Sequence, residues 1–426
     1  MDTPSNYQKY GVPFYAAAWL PGLGKSKRPD QEDDAGDDKK ETDTQTELAQ
    51  FDSSQNHVVF SGGGGEGRSG VPNAILIAQF DPASVSLSNQ PVAKLNTCSN
   101  LPYRMAVHPA GSGLVCSFPD SCRWFELEKE SDEVPKLALR QSERVLERLQ
   151  DVGQQLALAF DRDGSMLAAG GEDGKLRVFK WPSMEIILDE AKAHTTMKQL
   201  DFRSAILATL KNLLCMSFIC KVVADDLAWL SCSPDGKFLI SLGDRGPGRV
   251  WDVTSSTVVA SLPAERDEVF CGCRFSVIDD GVHILYIAGR YKSGSIVTWN
   301  TTTWKRIGSK TISRDIISAF DVSADGKLLA CGTTVGDLVI VNPTRMRIHK
   351  VVKKAHMGLV TALSFSHDSR ALASASMDSS ARVSTLEVEK KNGVLSLWVI
   401  ILIILIAIAA YFQKNPDKLP SALKGF

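Results

Sequence analysis

Between Ser61 and Asn73 the chain reads Ser-Gly-Gly-Gly-Gly-Glu-Gly-Arg-Ser-Gly-Val-Pro-Asn, so any chemistry here comes from backbone more than from side chains. Glycine adopts positive φ and admits close approach of other atoms. A run of Gly62, Gly63, Gly64, Gly65, Glu66, Gly67, Arg68, Ser69 and Gly70 therefore suits a backbone ion nest or a tight contact with a second chain. A Walker loop needs Gly-Lys-Ser/Thr opening a helix, and a dinucleotide fingerprint needs a helix after its last glycine. Asn73 leads instead into Ala-Ile-Leu-Ile-Ala, a short apolar run that reads as a strand. Neither phosphate-binding pattern fits. Two readings remain, a contact or ion loop anchored between strand-like runs at 57–60 and 74–80, and a flexible glycine hairpin.

The other reactive residue types form no constellation. Nine cysteines show no C-x-x-C pair and suit free thiols in a reducing compartment, with Cys271 and Cys273 reading as core packing. Ser61 and Ser69 have no catalytic histidine motif, and no triad, metal cluster or organic-cofactor motif is present, so a hydrolase, transferase or oxidoreductase is not expected. A net charge of −1 without a basic stripe gives no case for nucleic acid. Asn300-Thr301-Thr302 matches a glycosylation sequon, which would stay unmodified at a cytosolic strand end.

The elements that must position the loop are repeats. Asp161-Arg-Asp-Gly164, Ser233-Pro-Asp-Gly236, Asp279-Asp-Gly281, Ser323-Ala-Asp-Gly326 and Ser366-His-Asp-Ser369 each precede a hydrophobic strand, and from Gly236 the intervals are 45, 45 and 43 residues. That period belongs to four-stranded propeller blades. Trp251-Asp252, Phe179-Lys180 and Trp299-Asn300 fall where third strands end, and His194 and His356 stand before first strands, as in WD-type blades. A further blade with its turn at His108-Pro-Ala-Gly111, together with the glycine-loop segment, brings the count to seven. The expected fold is all-β: a seven-bladed WD-repeat β-propeller over residues 1–390, with the stretch from Pro13 to Trp19 closing the ring by pairing first and last blades.

Three stretches break the period. Residues 25–50 are rich in Asp, Glu, Lys and Thr and are expected to be a solvated, disordered insertion. Residues 126–150 suggest a short helix over 137–149. Residues 203–232 read as an anomalous apolar insertion splitting blade four, whose removal would join Gln199-Leu-Asp-Phe202 to the Ser233 turn.

Near the end, Val394 opens and Phe412 closes a 19-residue uncharged run flanked by Lys390, Lys391 and Lys414. At ~1.5 Å per residue it matches the ~30 Å hydrocarbon core, so a single C-terminal transmembrane helix over 394–412 is expected, embedded in the lipid bilayer. Trp398, Tyr411 and Phe412 lie towards its ends as interfacial aromatics do. The early apolar stretch at 14–20 is too short for a signal peptide, which points to a cytosolic propeller and a short lumenal tail at 413–426. Lysine and arginine counts at the two membrane ends are even and do not decide orientation.

Tyr10-Gly-Val-Pro-Phe-Tyr15, the loop from Gly62 to Asn73, Leu101-Pro-Tyr-Arg-Met-Ala-Val-His-Pro109 and Asp151-Val-Gly-Gln-Gln-Leu-Ala-Leu158 together resemble the Sec-twelve-like family, above all its plant members. The resemblance implies a protein of the endoplasmic-reticulum membrane with its propeller in the cytosol. It implies a role in COPII traffic, in the plant subgroup as a helper of the export of membrane cargo such as phosphate transporters. The family's exchange factors act on the small GTPase Sar through the glycine loop. By resemblance Asn73 is then the exchange residue, and the backbone of Gly62 to Gly67 holds a potassium ion. The resemblance leaves open whether this chain is an active exchange factor or a non-catalytic trafficking accessory.

Overall fold

A computed structural model of the chain describes residues 6–21, 57–65, 70–129, 137–190, 193–194, 227–243, 246–265, 268–277, 283–290, 293–386 and 414. Met1–Thr385 form one compact unit and Leu386–Phe426 a second. The acidic stretch at 25–50, residues Glu66 to Ser69, the Asp279–Gly281 turn and the apolar run at 394–412 lie outside the described residues. Among the described residues no helix is long and apolar enough to cross a membrane.

Within the first unit the strands form seven antiparallel sheets, so the seven blades expected from the turn period are present. Five turns share one geometry. Gly111, Gly164, Gly236, Gly326 and Ser369 all take φ between 61° and 72°, and each amide bonds the carbonyl three residues back. In three of them the turn's first serine receives an amide five residues on: Phe238 to Ser233, Leu328 to Ser323 and Ala371 to Ser366. The sequence period is thus a period of identical corners, each turning an inner strand into the next.

Ring closure uses a different segment from the one expected. Phe14–Trp19 is the innermost strand of blade one and pairs only with His57–Gly62, while Tyr7–Lys9 pairs with Ser380–Thr385 as the outermost strand of blade seven. Gly11, at φ 73°, lies in the link between the two strands. Phe14–Trp19 is apolar and buried, which suits the axis. Tyr7–Lys9 is partly exposed and suits a rim.

The helix expected over 137–149 is a strand followed by one turn. Leu137–Gln141 pairs with the third strand of blade two, and Leu137 and Leu139 bury alternately as strand residues do. Glu147–Leu149 is a 3-10 turn that buries Leu149. The cross-strand partner supplied by Cys122–Lys129 fixes the segment as a strand.

Blade four also corrects the insertion's boundary. Its inner strand is Leu227–Cys232, inside the range assigned to the insertion, and it pairs with Phe238–Gly243 across the Ser233 turn. The Gln199–Phe202 segment lies outside the described residues. A strand contiguous with its turn forms the hairpin with the shortest loop closure, so the nearer segment takes the place.

The core is a ring of clusters between neighbouring blades, with Val59, Ile75, Leu114 and Phe125 between blades one and two, for example. Polar stitches run along the inner strands. Arg104 donates to the Tyr15 carbonyl, Arg274 pairs with Asp321 at 2.8 Å, Asp321 accepts the Phe365 amide, and Thr361 donates to the Phe14 carbonyl.

Candidate functional site: the glycine loop of blade one

The glycine loop joins the second strand of blade one, His57–Gly62, to the third, Ala74–Asp81. It lies at the end of the propeller where the inner strand starts, because Phe14 pairs with Gly62. The outer strand Ala93–Asn96 finishes at the same end, with Asn96 opposite Ala74. Three chain crossings therefore meet under the loop.

Asn73 organises this junction. It is 2% exposed, and its carboxamide accepts the Gly65 amide at 3.0 Å and donates to the Gly65 carbonyl at 3.2 Å. A second donor bond reaches the Cys98 carbonyl at 3.0 Å, and the Asn73 carbonyl accepts the Thr97 amide at 2.9 Å. All of this binds the loop to itself and to the end of blade one. The Asn73 side chain is turned inward, its polar atoms bonded to the backbone of Gly65 in the loop and of Cys98 beyond it.

The glycines are required by close approach. A Cβ on Gly62 would lie 1.9 Å from the Pro13 carbonyl oxygen, and one on Gly63 2.0 Å from Asn73 Oδ1. Gly63 also donates its amide to the Pro13 carbonyl at 3.0 Å. Gly62 and Gly63 are buried, Gly64 and Gly65 are half-buried, and Gly70 is exposed at φ 71° with open space around it. Glu66, Gly67, Arg68 and Ser69 lie outside the described residues. The first half of the run is packed foundation, which a freely flexible hairpin would not be.

Among the described residues no group of three His, Cys, Asp or Glu is placed to hold a metal. Burial pushes the Cys232 and Cys273 thiols up to about 12, and Cys116, Cys122 and Cys331 also well above the usual thiol range, so none offers a thiolate. His194 and His356 are structural. His194 Nε2 lies 2.9 Å from Ser241 Oγ, which also accepts Trp251 Nε1 at 2.8 Å. His356 bonds Ser380 and Ser374 through its two ring nitrogens.

The family model described as WD domain, G-beta repeat matches residues 151–180 and 348–383. The first match covers three strands of blade three, and the second holds His356 and the first three strands of blade seven. Over 388 residues, 91% of this chain and 89% of the relative, the sequence is 47% identical to SEC12-like protein 2 of Arabidopsis thaliana. The chain belongs to the SEC12-like family. SEC12-like protein 1 of the same plant is 31% identical over 82% of the chain and 81% of its own length. The mouse protein named guanine nucleotide-exchange factor SEC12 is 26% identical over 50% of the chain and 47% of its own.

For this SEC12-like chain, sequence reasoning located the loop but missed what holds it. Pro13, Thr97 and Cys98 contribute only backbone atoms, and no residue type marks such a role. The one available signal was Pro13 itself, just before the first inner strand and inside the Tyr10–Tyr15 motif.

Proposed function

We propose that this protein works at the endoplasmic-reticulum membrane, its propeller in the cytosol and residues 394–412 as a single-pass anchor. There it promotes exit of membrane cargo, phosphate transporters being the expected class, in the COPII pathway. The observation that carries this reading is the higher identity to the SEC12-like relatives, 47% and 31%, than to the mouse and rat exchange factors, 26% and 22%. The inward-turned Asn73 agrees with it, since both Nδ2 hydrogens and one Oδ1 lone pair are engaged by the backbone of Gly65 and Cys98.

The second reading, exchange of guanine nucleotide on a Sar-type GTPase, is favoured by one feature, the rigid base of the loop. A loop held this tightly can favour the nucleotide-free partner without ordering itself on contact. Here Asn73 acts by positioning Gly65 and the residues beyond it. Backbone carbonyls are hard oxygen ligands of the kind a potassium ion takes. The loop base is itself filled, a Cβ on Gly62 or Gly63 meeting the Pro13 carbonyl oxygen or Asn73 Oδ1 at about 2 Å, so the carbonyls and not a vacancy at these glycines suit the ion. The carbonyls of Gly62 to Gly67 would hold it, and its charge would brace the turn.

One experiment separates the two. Fluorescence-monitored nucleotide release from the purified GTPase is followed with this protein, with Asn73→Ala, and with sodium in place of potassium. Acceleration that Asn73→Ala abolishes supports exchange; no acceleration by folded protein in potassium leaves the accessory role. Membrane anchoring is tested by alkaline carbonate extraction, in which the full chain stays in the pellet and a chain ending at Thr385 is released.

A further inference from the structure

Blades two and three enclose an aromatic groove away from the glycine loop, with a volume of about 600 Å³. Its floor is built by Trp124 and Trp181, ring centroids 4.8 Å apart, with His108 edge-on to Trp124 at 6.2 Å. Phe160 packs edge-to-face on Trp181 at 5.3 Å and on His108 at 5.1 Å. His108 is locked from both sides, Nε2 donating to the Gly164 carbonyl at 3.1 Å and Nδ1 accepting the Ala110 amide at 3.2 Å. The rings form a fixed wall.

The polar lining is mostly of one sign. Glu126, Glu128 and Asp163 line the groove, and Arg144 is the cation among them. The Arg144 guanidinium carbon lies 5.8 Å from the Trp181 ring centroid, within cation–π range. Arg144 is exposed, and it sits on a segment pinned on either side of it: Ser142 donates to Glu126 at 2.7 Å, and Leu146 is fully buried. Val145 between them is 64% exposed. The arginine side chain can therefore leave by rotamer change alone, with its backbone held.

We propose that this groove is a docking site for an arginine side chain on an exposed basic segment of a partner protein, and that Arg144 is its resident occupant, displaced on binding. The chain's own guanidinium shows which group the rings accept. Guanidinium is favoured over ammonium because a planar, weakly hydrated cation stacks on indole while its edges reach carboxylates. Glu128 is paired with Arg140 at 3.4 Å, and Glu126 and Asp163 against Arg144 still leave the site net acidic. The cavity is also far larger than the one guanidinium head over Trp181.

The test uses the full-length protein in detergent micelles and a fluorescein-labelled tetra-arginine peptide, read by anisotropy, with a tetra-glutamate peptide as control. Tetra-arginine binds and tetra-glutamate does not. Arg144→Ala tightens binding about threefold or more by removing the internal competitor. Asp163→Asn, an exposed substitution that leaves the fold intact, weakens it about threefold, and Trp181→Leu about tenfold. Equal binding of the two peptides overturns the proposal, and so does unchanged affinity in Arg144→Ala. So does unchanged affinity in both Asp163→Asn and Trp181→Leu.

Discussion

Asn73 closes on Gly65 as one strand closes on another, its carboxamide giving one hydrogen bond to that residue's carbonyl and taking one from its amide. A side chain here does the work of backbone pairing between residues eight positions apart in the loop. The loop's shape therefore depends on one amide.

Asn73→Ala should free the Gly65 amide and the Cys98 carbonyl together, at a cost of about 2 kcal/mol. Asn73→Asp should be worse, because a carboxylate offers no donor to two carbonyls and is buried as a charge. Thermal melts and hydrogen exchange at Gly65 read both. Wild-type exchange at Gly65 in either variant would show that the bracket does not hold the loop.

Alanine substitutions along the glycines should be graded by what each Cβ meets. Gly62→Ala and Gly63→Ala, with contacts near 2 Å, require backbone shifts and should cost several-fold more than Gly70→Ala. At Gly70 only the left-handed φ is penalised, at roughly 1 kcal/mol. Equal melting temperatures across the three would contradict the tight base.

Acid should weaken the propeller in a defined window. Burial first, then the nearby Arg249, lowers His194 from 6.5 to about 4, and burial also holds His356 below its ordinary value. Below pH 6.5 the unfolded chain takes up protons that the folded histidines refuse. Stability present above 6.5 is therefore lost as pH falls towards 4, by up to about 3 kcal/mol for His194. Denaturant midpoints at pH 7, 6, 5 and 4 measure the slope, and His194→Gln should flatten it.

Ser241→Ala should destabilise blade four by about 2–4 kcal/mol, since one hydroxyl serves both His194 and Trp251 in a fully buried site. Trp251→Phe removes only one of the two bonds and should cost less of the polar network, though it also leaves a void. A double-mutant cycle on stability separates the shared bond from the packing.

The corners of the fold were legible because each needs a left-handed residue, and glycine or serine, after aspartate in all but the His108-Pro-Ala-Gly111 turn, marks the place. Ser369 keeps φ at 61° where the others are glycine, and its hydroxyl accepts the Asp325 amide of the neighbouring blade, a reason for serine that no single repeat displays. The segment 137–149 misled as a helix, although Leu137 and Leu139 stand two apart and bury alternately against the neighbouring strand. At the glycine loop the residue types pointed to a backbone device. The inward turn of Asn73 depends on Cys98, 25 residues on, which local sequence could not show. The Trp124–Trp181 groove was invisible for the same reason, since its two walls come from different blades.

Tyr7 pairs with Arg382, so the strand that seals blade seven leaves the ribosome before every strand it must join and is among the last to find its partner. During synthesis it must stay unpaired while six blades form and wait for Ser380–Thr385 to emerge. Long-range closure of this kind is slow and exposes an open sheet edge meanwhile. A bulky fusion at the N-terminus would burden that last step, making newly made protein the most vulnerable form of the molecule.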